Sequence, residues 1–185
     1  MSTAMEQDVI DVLRQQHGEI RDLFDLVRTC APGERREAFE RLVRLLAVHE
    51  TAEEEIVHPA ARRTLPGGDG IVADRLEEER SAKELLSELD GMDTGDPQFM
   101  PKFDKLRTDV LTHARAEERY EFEKLQAEFS EAERRSLAAA VRAAEAMAPT
   151  RPHPGTESAT KNMLAGPPMA MMDQVRDMIR NAKKG

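Results

Sequence analysis

Apolar residues recur every three or four positions through four long segments of the chain, the period of a helix that hides one face. The first stripe runs Val9, Leu13, His17, Ile20, Phe24, Val27, and the second Leu42, Leu46, His49, Glu53, Ile56, Ala60. The third runs Val72, Leu76, Glu79, Ala82, Leu86, and the fourth Phe103, Leu106, Val110, His113, Glu117, Tyr120. Ala31-Pro32-Gly33, the stretch from Pro66 to Gly70 and the stretch from Gly91 to Pro101 interrupt the pattern between them. This spacing predicts an all-α chain folded as an up-down-up-down four-helix bundle. Ser130 and Glu133, spaced as a capping box, predict a fifth helical stretch over about 130–147.

Past Ala148 the composition shifts to Pro, Gly, Ser and Thr, so 1–148 reads as the bundle with its fifth stretch and 149–185 as an extension. The extension is expected to be a linker followed by a short amphipathic helix from Met169 to Lys184, with Met172, Val175 and Ile179 on one face. It carries six Lys/Arg against three Asp/Glu, so the net charge of −9 divides into +3 on the extension and −12 on the first 148 residues. Such a helix could dock on the acidic body, on a second subunit to make an oligomer, or on an anionic membrane, the last being the least expected.

Charged residues make up 34% of the chain and apolar residues 39%, with one Tyr and no Trp, which suits charge-laced helices rather than sheets. The acidic balance argues against a nucleic-acid partner, which needs a basic footprint, and favours cations. With Cys30 as the single cysteine no intrachain disulfide is possible. The N-terminal residues lack the pattern of a signal peptide, and no apolar run approaches the ~20 residues of a membrane span. A cytoplasmic protein is expected.

The apolar stripes contain residues that do not belong there. A lone histidine on such a face is usually a hydrogen-bonded core residue. Here His17, His49, Glu53, Glu79, His113 and Glu117 recur near the middle of four neighbouring stripes. Burying that many ionisable groups without a counterion costs several kcal/mol per charge, so a cation is expected among them. Mixed imidazole and carboxylate donors suit iron, manganese or zinc better than calcium or magnesium. Six donors exceed what one tetrahedral ion takes, which predicts two metal ions. Glu50, Glu54 and Glu55 point progressively away from the second stripe, Glu118 lies about 140° from His113 and is expected in solvent, and His58, nearly opposite His49, is expected at the surface or in a capping role. Tyr120 falls on the fourth stripe, as a hydrogen-bonding neighbour of the site or as core, and His153 lies in the linker, unrelated to it.

These residues resemble the haemerythrin family, particularly bacterial proteins with the HHE cation-binding domain. The resemblance is carried by His17 in QQHGEIRDLF, His49 and Glu53 in HETAEEEIVHP, and His113 with Glu117 in HARAEERYEF, and it spans about residues 8–128. It implies a non-haem di-iron centre of two iron ions that handles or senses O2, peroxide or nitric oxide, with peroxide decomposition or an oxidase-like activity as the possible chemistry. The alternative is a module that holds iron or signals its presence without turnover, and a third reading is a purely structural bundle that binds a partner through its acidic surface. The third helix departs from the family pattern. It contains no histidine, Glu79 stands where one is expected, and the second histidine of the O2 carriers falls on Arg75 or Lys83. A more anionic ligand shell favours ferric iron, so redox chemistry or sensing is expected rather than O2 transport.

Overall fold

The computed structural model describes residues 7–147, and the expected linker and amphipathic helix of the extension lie outside the described residues. Within them the elements are α1 (Val9–Thr29), a 3-10 turn (Pro32–Glu34), α2 (Arg35–Ala52), α3 (His58–Thr64), α4 (Gly68–Asp90), α5 (Phe99–Ala116), α6 (Phe122–Glu128) and α7 (Glu131–Met147). Five-residue π-turns, Glu53–Val57 and Glu117–Glu121, join α2 to α3 and α5 to α6 without a break. The bundle therefore has the four expected long members, α1, α2–α3, α4 and α5–α6, with α7 added against α1 and α2.

The helix ends follow from local chemistry. Asp8 caps α1 by accepting from the backbone N–H groups of Ile10 and Asp11, while the Asp11 carboxylate accepts from the N–H of Asp8. Ser130 and Glu133 form the second box: the Glu133 carboxylate accepts from Ser130 N–H at 2.8 Å, and the Ser130 hydroxyl accepts from Glu133 N–H at 3.3 Å. Between α3 and α4 the chain turns at Gly67, whose φ of 73° lies in the left-handed region. At Gly68 a Cβ would meet the carbonyl oxygen of Ala61 at 2.4 Å, so only glycine lets α4 start against α3. In the last connection, α5 begins at Phe99 rather than after Pro101. Pro101 sits in its first turn, where the N–H that proline lacks would have no intrahelical partner.

The core is divided. One apolar cluster holds Val9, Leu13, Ile56, Val72, Phe122 and Val141, and the other holds Ile20, Phe24, Phe39, Leu46, Leu86 and Phe103. On every long member the polar residue of the stripe falls between the residues of the two clusters: His17 between Leu13 and Ile20, His49 and Glu53 between Leu46 and Ile56, Glu79 between Val72 and Leu86, and His113 and Glu117 between Val110 and Phe122. A belt of ionisable side chains thus separates two hydrophobic layers.

Candidate metal centre

The belt closes into two overlapping groups. His17, His49, Glu53 and Glu117 form one and Glu53, Glu79, His113 and Glu117 the other, with one nitrogen or oxygen of each residue within 4.8 Å of those of its group. All six residues singled out by the stripes are therefore brought together, and Glu53 and Glu117 belong to both groups. His17, His49, Glu53, Glu79 and Glu117 are buried, and His113 is nearly so. His17 Nε2 lies 3.3 Å from Glu117 Oε2, His49 Nε2 3.5 Å from Glu53 Oε1, and His113 Nε2 3.4 Å from Glu117 Oε1. Two atoms each about 2.1 Å from a shared ion would stand about this far apart.

The histidines are held so that their Nε2 lone pairs point into the cluster. His17 Nδ1 donates to Glu118 Oε1 at 2.9 Å, His49 Nδ1 to Gln16 Oε1 at 2.7 Å, and His113 Nδ1 to Glu78 Oε2 at 2.8 Å. A carboxylate or amide oxygen can only accept, so each contact places a ring proton on Nδ1 and makes Nε2 the nitrogen turned toward the cluster, the arrangement of metal-binding histidines. Facing inward, His17 Nε2, His113 Nε2, both oxygens of Glu53, Glu79 Oε2 and Glu117 Oε2 are buried with no hydrogen-bond partner. Buried polar atoms ordinarily have partners. A set of unpartnered imidazole nitrogens and carboxylate oxygens converging on one place fits a transition-metal cation in chemistry and in number.

The electrostatics show the same demand for positive charge. Burial, then the neighbouring Glu117 and Glu79 carboxylates, push Glu53 well above the usual carboxylate range. Glu117 is held well below it, because His113 and His17 outweigh its burial. Burial and the proximity of His17 lower His49 to about 3, keeping it neutral. His113 is raised despite its burial by Glu117, Glu78 and Glu79. The carboxylates thus draw protons onto their neighbours when no stronger cation compensates them.

Several expectations are corrected. His58 is buried, not at the surface: its Nε2 lies 2.5 Å from Glu79 Oε1 and its Nδ1 3.8 Å from Glu121 Oε1. Glu118 stays 36% exposed, yet it is also the hydrogen-bond partner of His17. Tyr120 is 57% exposed, and Glu121, which no sequence signal marked, is buried in its place. Each of these follows from the π-turns, which fit an extra residue into a turn and set the following side chains back by roughly 100° on the helical wheel. That rotation takes Tyr120 out of the stripe and turns Glu121 and His58 in. Glu50 and Glu54 are also buried rather than pointing away, with burial raising each to about 8 against the pull of Lys83. Glu54 pairs with Lys83, itself buried one turn beyond Glu79. The surroundings of His153 lie outside the described residues.

The geometry has relatives. A solved HHE cation-binding-domain protein of Mycobacterium kansasii, described as an Rv2633c homologue, superposes with a TM-score of 0.67 at 20% identity, covering 92% of this chain and 98% of that one. At that identity the likeness concerns the fold. Among curated proteins, one from Nostoc sp. named DNA nickase is 28% identical over 118 residues, which are 63% of this chain and 33% of the relative. The chain thus spans about one third of the length of that relative. No described helix is long and apolar enough to cross a membrane. The family model described as Hemerythrin HHE cation binding domain matches residues 8–125, a range that contains all six residues of the buried belt, and the chain belongs to that family.

Proposed function

We propose that the protein holds two iron ions and uses them to handle or sense O2, peroxide or nitric oxide. The single observation that carries the reading is the sharing of Glu53 and Glu117 between the two groups. Two carboxylates common to two nitrogen-containing sets suit a pair of bridged ions, with His17 and His49 completing one site and Glu79 and His113 the other. Bound iron would supply a Lewis acid and a source of electrons. The chain's own residues orient the imidazoles through Gln16, Glu78 and Glu118 so that Nε2 faces the cluster, and the apolar layers on either side flank it.

A cavity of about 400 Å³ reaches His17, His49, Glu79 and His113, which favours handling of a small ligand over simple storage of iron. A role on DNA, which the name of the Nostoc relative states for that protein, is not part of this proposal, because a chain of net charge −9 lacks the basic footprint that phosphates need. The test is metal analysis of the protein after aerobic iron loading together with its optical spectrum. Close to two iron atoms per chain and a near-ultraviolet band of a bridged ferric pair are expected. One iron or less without that band would end the two-ion reading.

A further inference from the structure

The cavity that reaches the belt is larger than a diatomic molecule requires. It opens to solvent between α4 and α5, where Glu77, Glu78 and Ser81 face Lys105, Asp109 and Thr112. Its middle is walled by Ile20, Leu46, Ala82, Val110 and Ala114, one or two from each of four helices, and its floor is formed by residues of the metal centre. A molecule in liquid water occupies roughly 30 Å³, so O2, nitric oxide or hydrogen peroxide would use a small part of the 400 Å³. Cavities of this size and lining, about 300–1,000 Å³ and mostly apolar with a few polar groups at one end, are those that bury small organic molecules.

Hydrogen peroxide gains nothing from the five aliphatic walls, whereas a carbon skeleton attached to the peroxide would be buried against them. The charges at the mouth are already satisfied: Lys105 pairs with Asp109, Glu77 with Arg80, and Glu78 with Arg75 and His113. Each cation there already has a carboxylate, which disfavours a ligand bearing its own carboxylate, such as a fatty-acid hydroperoxide.

We infer that this cavity binds the organic body of a compact, uncharged organic hydroperoxide, R–O–O–H, with the peroxide group toward the floor and R between Leu46, Ala82 and Val110. The inference rests on the two-iron reading above and narrows its substrate class. In a single turnover the O–O bond breaks, two electrons come from two ferrous ions that each become ferric, two protons come from solvent, and the products are the alcohol R–OH and water.

The binding part can be tested without turnover. Cumyl alcohol (2-phenylpropan-2-ol), the unreactive counterpart of cumene hydroperoxide, is titrated into the full chain loaded with redox-inert zinc, and saturable binding is followed by ligand-observed NMR. Ala82→Phe and, independently, Ala114→Leu place new atoms in the cavity. Wild type is expected to bind the alcohol, and either folded, zinc-loaded variant to bind it at least ~10-fold more weakly, the order of effect expected when an apolar pocket loses its fit. Iron-loaded wild type is expected to react with cumene hydroperoxide at least ~10-fold faster than with hydrogen peroxide, and that ratio should collapse in the variants. No saturable binding by wild type, or no preference for the organic peroxide, would overturn the inference, as would undiminished binding by a folded variant. A protein that loads two irons and reacts with hydrogen peroxide but ignores the alcohol would refute this inference and leave the two-iron reading standing. Failure to load iron would refute that reading itself.

Discussion

Glu79 occupies the position where the family pattern expects a histidine, and its surroundings show how a carboxylate is accommodated there. One oxygen, Oε1, meets His58 Nε2 at 2.5 Å, while the other, Oε2, is buried without a hydrogen-bond partner in the cluster. His58 thereby fixes which oxygen is free, and it lowers the Glu79 carboxyl below its usual range even though burial opposes that shift. Neighbours that orient a ligand in this way are commonly worth ~10- to 100-fold in metal affinity. Glu79→Ala is expected to lower iron content, and His58→Ala to weaken iron binding by an amount in that range, while Glu77→Ala, an exposed change two residues away and about 160° round the helix from Glu79, serves as control. Iron titration and the spectrum of the loaded protein check all three. Identical stoichiometry and spectra for Glu79→Ala and Glu77→Ala would remove α4 from the ligand set. The placement of Glu79 was legible in the sequence because α4 keeps an unbroken 3.6-residue period around it. His58 and Glu121 were not, because His58 follows one π-turn and Glu121 ends the other, the extra residue moves the wheel by about one position, and nothing in the composition of EEEIV or EERYE announces that turn.

At the scale of elements, the belt is held in register by contacts that the stripes could not reveal. Gln16 accepts from His49 on one side and donates to Glu145 of α7 on the other, so α7 steadies an imidazole that it does not touch. The start of α1 is tied to the start of α7 in turn: Arg134 Nε donates to Asp8 Oδ2 at 2.7 Å, and its Nη1 donates to the Phe129 carbonyl at 2.7 Å. Asp8 is thus both the cap of α1 and the anchor of α7. Burial opposes ionisation of Asp8, yet the hydrogen bond from Arg134 and those from Asp11 and Ile10 hold its carboxyl below the ordinary 3.8. A carboxyl lowered on folding adds stability that is present above the unfolded value and is lost as the pH falls through the folded one. Asp8→Ala should therefore cost about 1 kcal/mol at neutral pH, the usual worth of a helix cap, and the difference from wild type should shrink once the pH falls below 3.8. Urea unfolding at several pH values measures this, and a difference that stays constant into acid would show that the charge of Asp8 contributes nothing. The two capping boxes differ in how well the sequence announces them. Ser130 and Glu133 form the familiar Ser-x-x-Glu pattern, whereas Asp8 and Asp11 form a box from two aspartates, which that pattern omits.

For the whole molecule, the belt between two apolar layers makes folding and metal binding one equilibrium. Without a cation, folding must keep Glu53 protonated and bury several carboxylates against one another. A metal that binds the folded chain and not the unfolded one stabilises it by about 2.7 kcal/mol at a free concentration a hundred times its dissociation constant. Every residue of the belt precedes residue 148, and so do the groups that hold it: Gln16, His58, Glu78, Glu118 and, at the far end, Glu145 in α7. A chain ending at Ala148 is therefore expected to take up the same number of iron atoms as the full chain and to show the same rise in melting temperature on loading. Ending the chain before Ser130 instead removes α7, with its hydrogen bond from Gln16 and its anchor on Asp8, and should reduce that rise. Metal analysis and thermal unfolding of the three forms, with and without iron, separate the possibilities. Loss of iron from a still-helical chain ending at Ala148 would mean that the basic extension, +3 against a body of −12, takes part in closing the site.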